Sequence, residues 1–323
     1  MSDAQRSPVW ALHDGNAGNL RQATALARAL GWPAAFSPPL APAAPWRWLA
    51  PRRLPGDRQA FGAAFAQALA RPPRLAIGCG RQAALATRLA RARGAATVQI
   101  LDPRIDRRHW DLVVLPEHDR VQGGNVLTLI GSLHPIDDDW LAAARATFAE
   151  FAALPGPRVA LLVGGPTARV PWTLPQLQAQ VEALLESLRG DGSVLATVSR
   201  RTPPEAIAWL RTRLHGVPGV LWCGEQDGPN PYAGLLGWAQ AIACTADSSN
   251  LLSEACATRV PVAAWFAQQA RSRAAGLLAD LQARGRLAAA LSFAADPAIV
   301  PLRETARIAA EVRERLQVPE PSI

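Results

Sequence analysis

Two adjacent guanidiniums, Arg200 and Arg201, stand between two hydroxyls, Ser199 and Thr202, directly after a strand-like run. Arg is the side chain that grips phosphate bidentately, so this loop reads either as a phosphate contact or as a solvated pair. A second segment, Thr245-Ala-Asp-Ser-Ser-Asn-Leu-Leu-Ser-Glu-Ala255, reads as a strand end passing into a helix. Asp247, Ser248 or Ser249 would cap that helix, and the N–H groups at its start suit an anion. Glu254, one to two turns in, would accept hydrogen bonds from ribose hydroxyls. The plainer alternative is a well-capped helix with a solvent-facing Glu.

Gly164-Gly-Pro-Thr167 follows a third strand-like run, and the paired glycines Gly164 and Gly165 let a ligand approach the backbone closely. It is neither G-x-G-x-x-G nor a Walker A pattern, and a tight strand-to-helix turn is the alternative. The polar loop Glu225 to Tyr232 holds Asn230 and the single tyrosine, Tyr232. It would close over a base or sugar, or form a long turn.

The first half carries candidates for acid–base work. His13-Asp-Gly-Asn-Ala-Gly-Asn19 joins a strand to a helix, and Pro116-Glu-His-Asp119 follows another strand. If both loops share one sheet edge, His13, Asp14, Glu117 and His118 supply a general base for a hydroxyl acceptor. Each histidine alone reads equally as a structural hydrogen-bonder. Gly78-Cys-Gly-Arg-Gln82 is a loop of the same kind, which puts Arg81 and Gln82 with Asn19 on the acceptor side.

These residues need elements to hold them at strand ends, and the pattern supplies them. Strand-like and helix-like runs alternate throughout, which argues for parallel sheets covered by helices. In such sheets ligands bind beyond the carboxyl ends of the strands. Strands are expected at 8–12, 75–77, 97–101 and 112–115, with helices over 22–30, 81–93 and 138–152. Leu154-Pro-Gly-Pro157 then punctuates the chain and the alternation restarts. In the second half strands are expected at 158–163, 193–198, 219–222, 241–244 and 261–265. Helices alternate with them, and a last one is expected over 301–316. Domains are therefore expected at 1–154 and 155–300, with 301–323 a terminal helix packing back on the first.

A chain of 323 residues, 49% hydrophobic, is long enough for two domains with cores of their own. No apolar run approaches the roughly 20 residues a bilayer requires, and no basic-then-apolar start suggests a leader. The expected location is therefore cytoplasmic, allowing peripheral contact with the inner membrane. Cys79, Cys223, Cys244 and Cys256 include no C-x-x-C pair, so neither a zinc site nor a disulfide framework is expected. No other metal is expected either.

The net charge is +8 and all 34 basic side chains are Arg. An anionic partner fits; nucleic acid fits poorly, because the arginines are spread along the chain and stacking platforms are missing. The Pro-rich stretch Pro33 to Pro55 contains Trp46, Arg47, Trp48, Arg52 and Arg53. It reads either as a connection whose tryptophans fold back on the core or as a membrane-surface contact.

Several segments form one collinear set that resembles the mitochondrial-fission Elm-one-like family, whose bacterial members are often labelled nucleoside-diphosphate-sugar epimerases. In the first half they are His13 to Asn19, Gly80-Arg-Gln82, Gln99 to Arg104 and Pro116 to Asp119. In the second they are Val163 to Pro166, Ser199 to Pro203, Asn230-Pro-Tyr232, Thr245 to Ser248, Ser253-Glu-Ala255 and Pro301 to Thr305. The resemblance implies a GT-B-like pair of Rossmann-like α/β domains with an interdomain cleft. It is also similar to the donor site of GT-B glycosyltransferases, in which a Ser-and-Glu helix holds the nucleotide. One departure is Arg259, where such segments usually place Gly.

Three functions follow from the resemblance. One is a metal-independent, cofactor-free glycosyltransferase, with a nucleotide-sugar donor and a lipid-linked cell-envelope acceptor. The others are a non-catalytic adaptor of the fission type and a nucleotide-sugar epimerase.

Overall fold

A computed structural model describes residues 8–32, 35–37, 40–294 and 296–318. The chain divides into two compact units, residues 1–135 with 303–323, and residues 136–302.

The first unit is built on five parallel strands in the order β1 to β5: Val9–His13, Leu75–Cys79, Ala96–Ile100, Leu112–Pro116 and Val126–Leu129. Its helices are α1 (Ala17–Ala29), α2 (Trp46–Leu49), α3 (Gly62–Leu69) and α4 (Arg81–Arg91). β5, α2 and α3 were not among the elements expected from sequence. The strands are buried on both faces, so they read as near-continuous apolar runs.

Successive residues alternate between two cores, as a pleated strand requires. Val9, Ala11, Ile77, Val98, Ile100 and Val114 face one side with Leu26 of α1. Trp10, Leu12 and Ala76 face the other with Phe65 of α3 and Leu85 and Leu89 of α4. Phe36 makes a parallel bridge to Trp10 on the free edge of β1. The chain thus leaves β1 towards Phe36 and returns on the other side to pair β2, so the strand order reverses at β1.

The second unit repeats the plan with strands β6 (Arg158–Val163), β7 (Ser193–Val198), β8 (Gly219–Trp222), β9 (Ala241–Thr245) and β10 (Val262–Trp265). Their order is β10-β9-β6-β7-β8, all parallel. β6 pairs β7 on one side and β9 on the other, so the order reverses at β6. Helices α5 (Asp138–Thr147), α6 (Leu174–Ser187), α7 (Pro204–Arg213), α8 (Tyr232–Trp238), α9 (Ser249–Cys256) and α10 (Arg273–Ala283) complete it. α10 also carried no expectation from sequence.

α5 lies within the second unit, although the Pro-Gly punctuation after it suggested a boundary at 154/155. Gly234 of α8 packs so closely on Phe148, just beyond α5, that a Cβ there would sit 2.5 Å from the ring. α11 (Thr305–Leu316) packs on the first unit: Ile308, Ala309 and Val312 enter the β1–β5 core. The buried Thr305 hydroxyl donates to the His134 carbonyl (2.7 Å) and accepts its N–H (3.0 Å), fixing where this helix starts.

Among the described residues no helix is long and apolar enough to cross a membrane. The four cysteines are free thiols, three of them buried; burial pushes the Cys256 thiol up to about 12.

Thr87 of α4 shows how the sheet is clamped. Its buried hydroxyl donates to the carbonyls of Ala83 and Ala84 and accepts the indole N–H of Trp110 at 2.8 Å. Thr87→Val keeps the shape but orphans that buried N–H, a loss of about 1–3 kcal/mol. Urea unfolding monitored by circular dichroism measures it.

Candidate functional site

The carboxyl ends of β6, β7 and β9 meet at the reversal of the second sheet, where open α/β folds bind ligands. Beyond Val163 the backbone leaves the sheet, and its N–H groups need new partners. Gly164 N–H donates to Thr245 Oγ1 at 2.7 Å, and Gly165 N–H donates to Asp247 Oδ2 at 3.1 Å. The Thr245 hydroxyl donates to Asp247 Oδ1 at 2.7 Å. Arg201, from the loop after β7, donates to Asp247 Oδ2 at 2.7 Å.

The two glycines are required by this packing. A Cβ at Gly164 would lie 2.2 Å from the Asp247 carboxylate, and one at Gly165 would lie 2.1 Å from the Arg201 carbonyl oxygen. The second contact is to backbone and cannot relax by a rotamer change. Three loops are thus bound as one ledge.

The Ser199-Arg-Arg-Thr202 loop is tied down from within. Thr202 is buried, and its hydroxyl meets the carbonyls of Val163 (3.1 Å) and Gly164 (2.6 Å). It also accepts from Ser199 N–H at 3.0 Å, and Ser199 Oγ accepts from Arg201 N–H at 3.1 Å. Arg200 and Arg201 are left exposed above this base. The Asp247 side chain is fully buried. Burial pushes its carboxyl above the usual range, opposed by the hydrogen bonds from Thr245 and Gly165 and by the Arg201 charge.

α9 starts as the sequence pattern expects. Ser248 is the N-cap, its Oγ accepting from Leu251 N–H at 3.4 Å, and Ser249 is exposed at the first turn. Glu254 differs from the solvent-facing expectation: it is 1% exposed and accepts the hydroxyl hydrogen bond of Tyr232. Tyr232 opens α8, and its N–H donates to Asn230 Oδ1 at 2.9 Å. Arg259 turns its guanidinium to Asp138 of α5, 3.0 Å away. Gly164, Gly165, Ser199, Arg201, Thr202, Thr245 and Asp247 therefore form one bonded cluster. Asn230, in the loop before α8, forms a second with Tyr232 of α8 and Glu254 of α9.

In the first unit the reversal at β1 gathers a smaller cluster. Asp14 Oδ1 accepts from Asn16 N–H (3.1 Å) and from Asn19 Nδ2 (2.9 Å). Gly80, at φ +92°, lets the β2 loop come within reach; a Cβ there would lie 2.5 Å from Asn19 Nδ2 and 2.8 Å from Asp14 Oδ2. His13 is buried, its Nδ1 accepting from Gly15 N–H at 3.1 Å. Arg81 donates to the carbonyls of Arg47 and Trp48, and Gln82 is half-buried behind it.

Glu117 and His118 lie on a single turn of 3-10 helix, Glu117–Asp119, after β4. β1 and β4 are separated by β2 and β3, about 14 Å at ordinary strand spacing. The sheet therefore does not bring Asp14 and His118 together; they sit at opposite parts of one edge. Two residues absent from the sequence-derived candidates join the Asp14 cluster. Cys79 Sγ lies 3.5 Å from Asn19 Oδ1, and buried Gln99 on β3 reaches the Gly80 carbonyl at 3.4 Å. Their sequence signal was membership of segments already noted, the Gly78 to Gln82 loop and the run Gln99 to Arg104. Among the described residues, no group of three His, Cys, Asp or Glu side chains converges as a metal site.

Arg201 and Asp247 give a test of this ledge. Removing the guanidinium in Arg201→Ala takes away a cause that lowers the Asp247 pKa, so the folded-state value rises further above the unfolded one. A carboxyl raised in the folded state costs nothing when protonated and destabilises as the pH climbs through its folded pKa. The stability loss in Arg201→Ala is therefore smaller at about pH 5 than at about pH 8, as urea titrations at both would show.

Comparison with known proteins places this architecture. The Mitochondrial fission ELM1 family model matches residues 17–316. The Mitochondrial fission protein ELM1 of Arabidopsis thaliana is 31% identical over 275 residues, which is 76% of this chain; the match spans 64% of that longer relative. Among solved structures, the UDP-GlcNAc 2-epimerase of Methanocaldococcus jannaschii has a TM-score of 0.53 at 11% identity, over 95% of this chain and 99% of that one. The S. aureus MnaA–UDP co-structure has a TM-score of 0.50 at 12% identity, covering 95% and 89%. The fold is thus GT-B-like, and the chain belongs to the Mitochondrial fission ELM1 family.

Proposed function

We propose that the second unit binds a nucleotide-sugar at the ledge formed by Gly164, Gly165, Arg201 and Asp247, and that the protein is a glycosyltransferase working without metal or other cofactor. The observation that carries this reading is the exposed Arg200–Arg201 pair at the strand-order reversal, above a backbone stripped of side chains by two obligatory glycines. A diphosphate docking there meets guanidinium donors and the N-terminal end of α9 with Ser248 and Ser249. Tyr232 and Glu254 lie on α8 and α9 and Asn230 just before α8, where the Tyr232–Glu254 pair would open to take ribose hydroxyls. The fold relatives, an epimerase of UDP-GlcNAc and a protein crystallised with UDP, direct the choice of probe.

In the transfer itself, charge develops on the leaving diphosphate, and Arg200 and Arg201 would neutralise it. A general base would take the proton of the acceptor hydroxyl. Asp14 suits this better than His118, since Asp14 sits at the reversal of the first sheet, whereas His118 lies at the far part of that edge. The acceptor we assign is a cell-envelope sugar carried on lipid.

A second reading has its own observation. Arg201 is already paired with Asp247, and Glu254 with Tyr232, so the ledge is satisfied without a ligand. That favours a non-catalytic adaptor of the fission type. An epimerase would use the same donor ledge.

Titration calorimetry with UDP, GDP, ADP and CMP separates these readings. Binding of UDP, weakened by about tenfold or more in Arg201→Ala for loss of a charge-assisted contact, supports the proposal. Absence of heat with all four nucleotides sinks it and leaves the adaptor. Incubation with UDP-N-acetylglucosamine and no acceptor separates the epimerase: conversion to the isomerised UDP-sugar without net release of UDP assigns it.

A further inference from the structure

Charge along this chain is strongly segregated, not by the arginines but by the acids. Between Asp14 and Asp102 there are twelve arginines and a single carboxylate, Asp57. The other 22 arginines are outnumbered by 25 carboxylates, so the whole positive excess of the protein resides in residues 15–101. Even Asp57 is spent internally: it is buried and paired with Arg53 at 2.7 Å.

Within that basic segment lies an apolar protrusion. Only four large hydrophobic side chains are exposed among the described residues: Leu20, Trp48, Leu49 and Val300. Two of them are neighbours on α2, and Trp48, 64% exposed, is the larger. Trp46, two residues earlier, turns the other way and packs against the Trp10–Phe65 core. α2 is therefore anchored by one tryptophan and presents the next.

The backbone of α2 is prepared for a medium poor in water. Arg81 donates to the carbonyls of Arg47 and Trp48 at 3.1 and 3.2 Å, and Arg88 donates to the carbonyl of Pro51 at 2.6 Å. Ala50 N–H returns to the Trp46 carbonyl. The carbonyls that a helix end leaves open are thus met by protein donors, which removes the main cost of placing such a turn in a lipid interface. Around it Arg47, Arg52 and Arg58 are exposed. Trp at the headgroup level, an adjacent Leu and a ring of guanidiniums is the combination that suits an anionic bilayer.

We propose that α2 and its flanking arginines form a docking surface for an anionic lipid bilayer, with Trp48 and Leu49 entering the interface and Arg47, Arg52 and Arg58 meeting headgroup phosphates. The surface does not depend on the nucleotide-sugar ledge. Through Arg81 it adjoins the loop that holds Asp14 and Asn19, so a bilayer here would lie beside the acceptor-side edge of the first sheet.

Co-flotation with vesicles tests this. The whole protein should float with phosphatidylcholine vesicles containing phosphatidylglycerol, much less with phosphatidylcholine alone, and less again at high salt. Trp48→Ala with Leu49→Ser should cut the bound fraction several-fold, and Arg52→Glu with Arg58→Glu should lower the partition coefficient by about fivefold or more for each Arg lost. Both variants should keep the wild-type circular dichroism and melting curve, since these side chains are exposed. Equal flotation of wild type and the Trp48/Leu49 variant overturns the proposal. So does wild-type protein that stays unbound with anionic vesicles, or binding to duplex DNA or RNA that falls with Arg52→Glu and Arg58→Glu while vesicle binding is absent. Nucleotide titration of the same variants keeps this result separate from that of the ledge.

Discussion

Asp247 accepts hydrogen bonds from the Gly165 N–H, the Thr245 hydroxyl and the Arg201 guanidinium, and these come from the ends of three different strands. A parallel strand that stops at a sheet's reversal leaves N–H groups without a ladder partner, and burying them unpaired would cost about as much as a lost hydrogen bond each. The carboxylate meets that demand and is itself expensive to bury, so it requires the guanidinium. Once this set is accepted, much of the site follows. Gly164 and Gly165 can carry no side chain, Thr202 must sit beneath the loop, and Arg200 and Arg201 must stay at the surface. The pair of exposed guanidiniums over a glycine floor is a by-product of how the sheet ends.

The first unit solves the same problem at β1 with neutral amides. Asp14, Asn19 and the Gly80 loop close the reversal there, and buried Gln99 reaches the same loop from β3. Arg81 reaches outwards to the carbonyls of α2. The two sheet edges thus differ in chemistry: one presents cations over a glycine floor, the other a carboxylate among amides.

The family relationship and the fold are secure independently of any reaction. A GT-B-like pair of Rossmann-type units does not by itself assign a reaction, which has to be argued from the site. Any ligand reaching Arg201 or Glu254 would have to displace the Arg201–Asp247 or Tyr232–Glu254 pairing.

Much of this was legible from the residues alone. Strands β6, β7 and β8 have the bounds that the apolar runs at 158–163, 193–198 and 219–222 indicated; β6 and β7 are buried on both faces, which leaves no polar alternation to blur their ends. Glycine pairs, caps and arginine pairs at those ends marked the loops, since each residue type answers a local backbone need. The elements that escaped notice, β5, α2, α3 and α10, are short or Ala- and Gly-rich, with little local signal. Tertiary structure alone decided the rest. Strand order separated Asp14 from the His118 turn, although both follow buried strands. Packing turned Glu254 inward onto Tyr232 and Arg259 away to Asp138, and grouped α5 with the second unit. Pairing partners so distant in sequence are chosen by which strands lie side by side, and no local pattern encodes that choice.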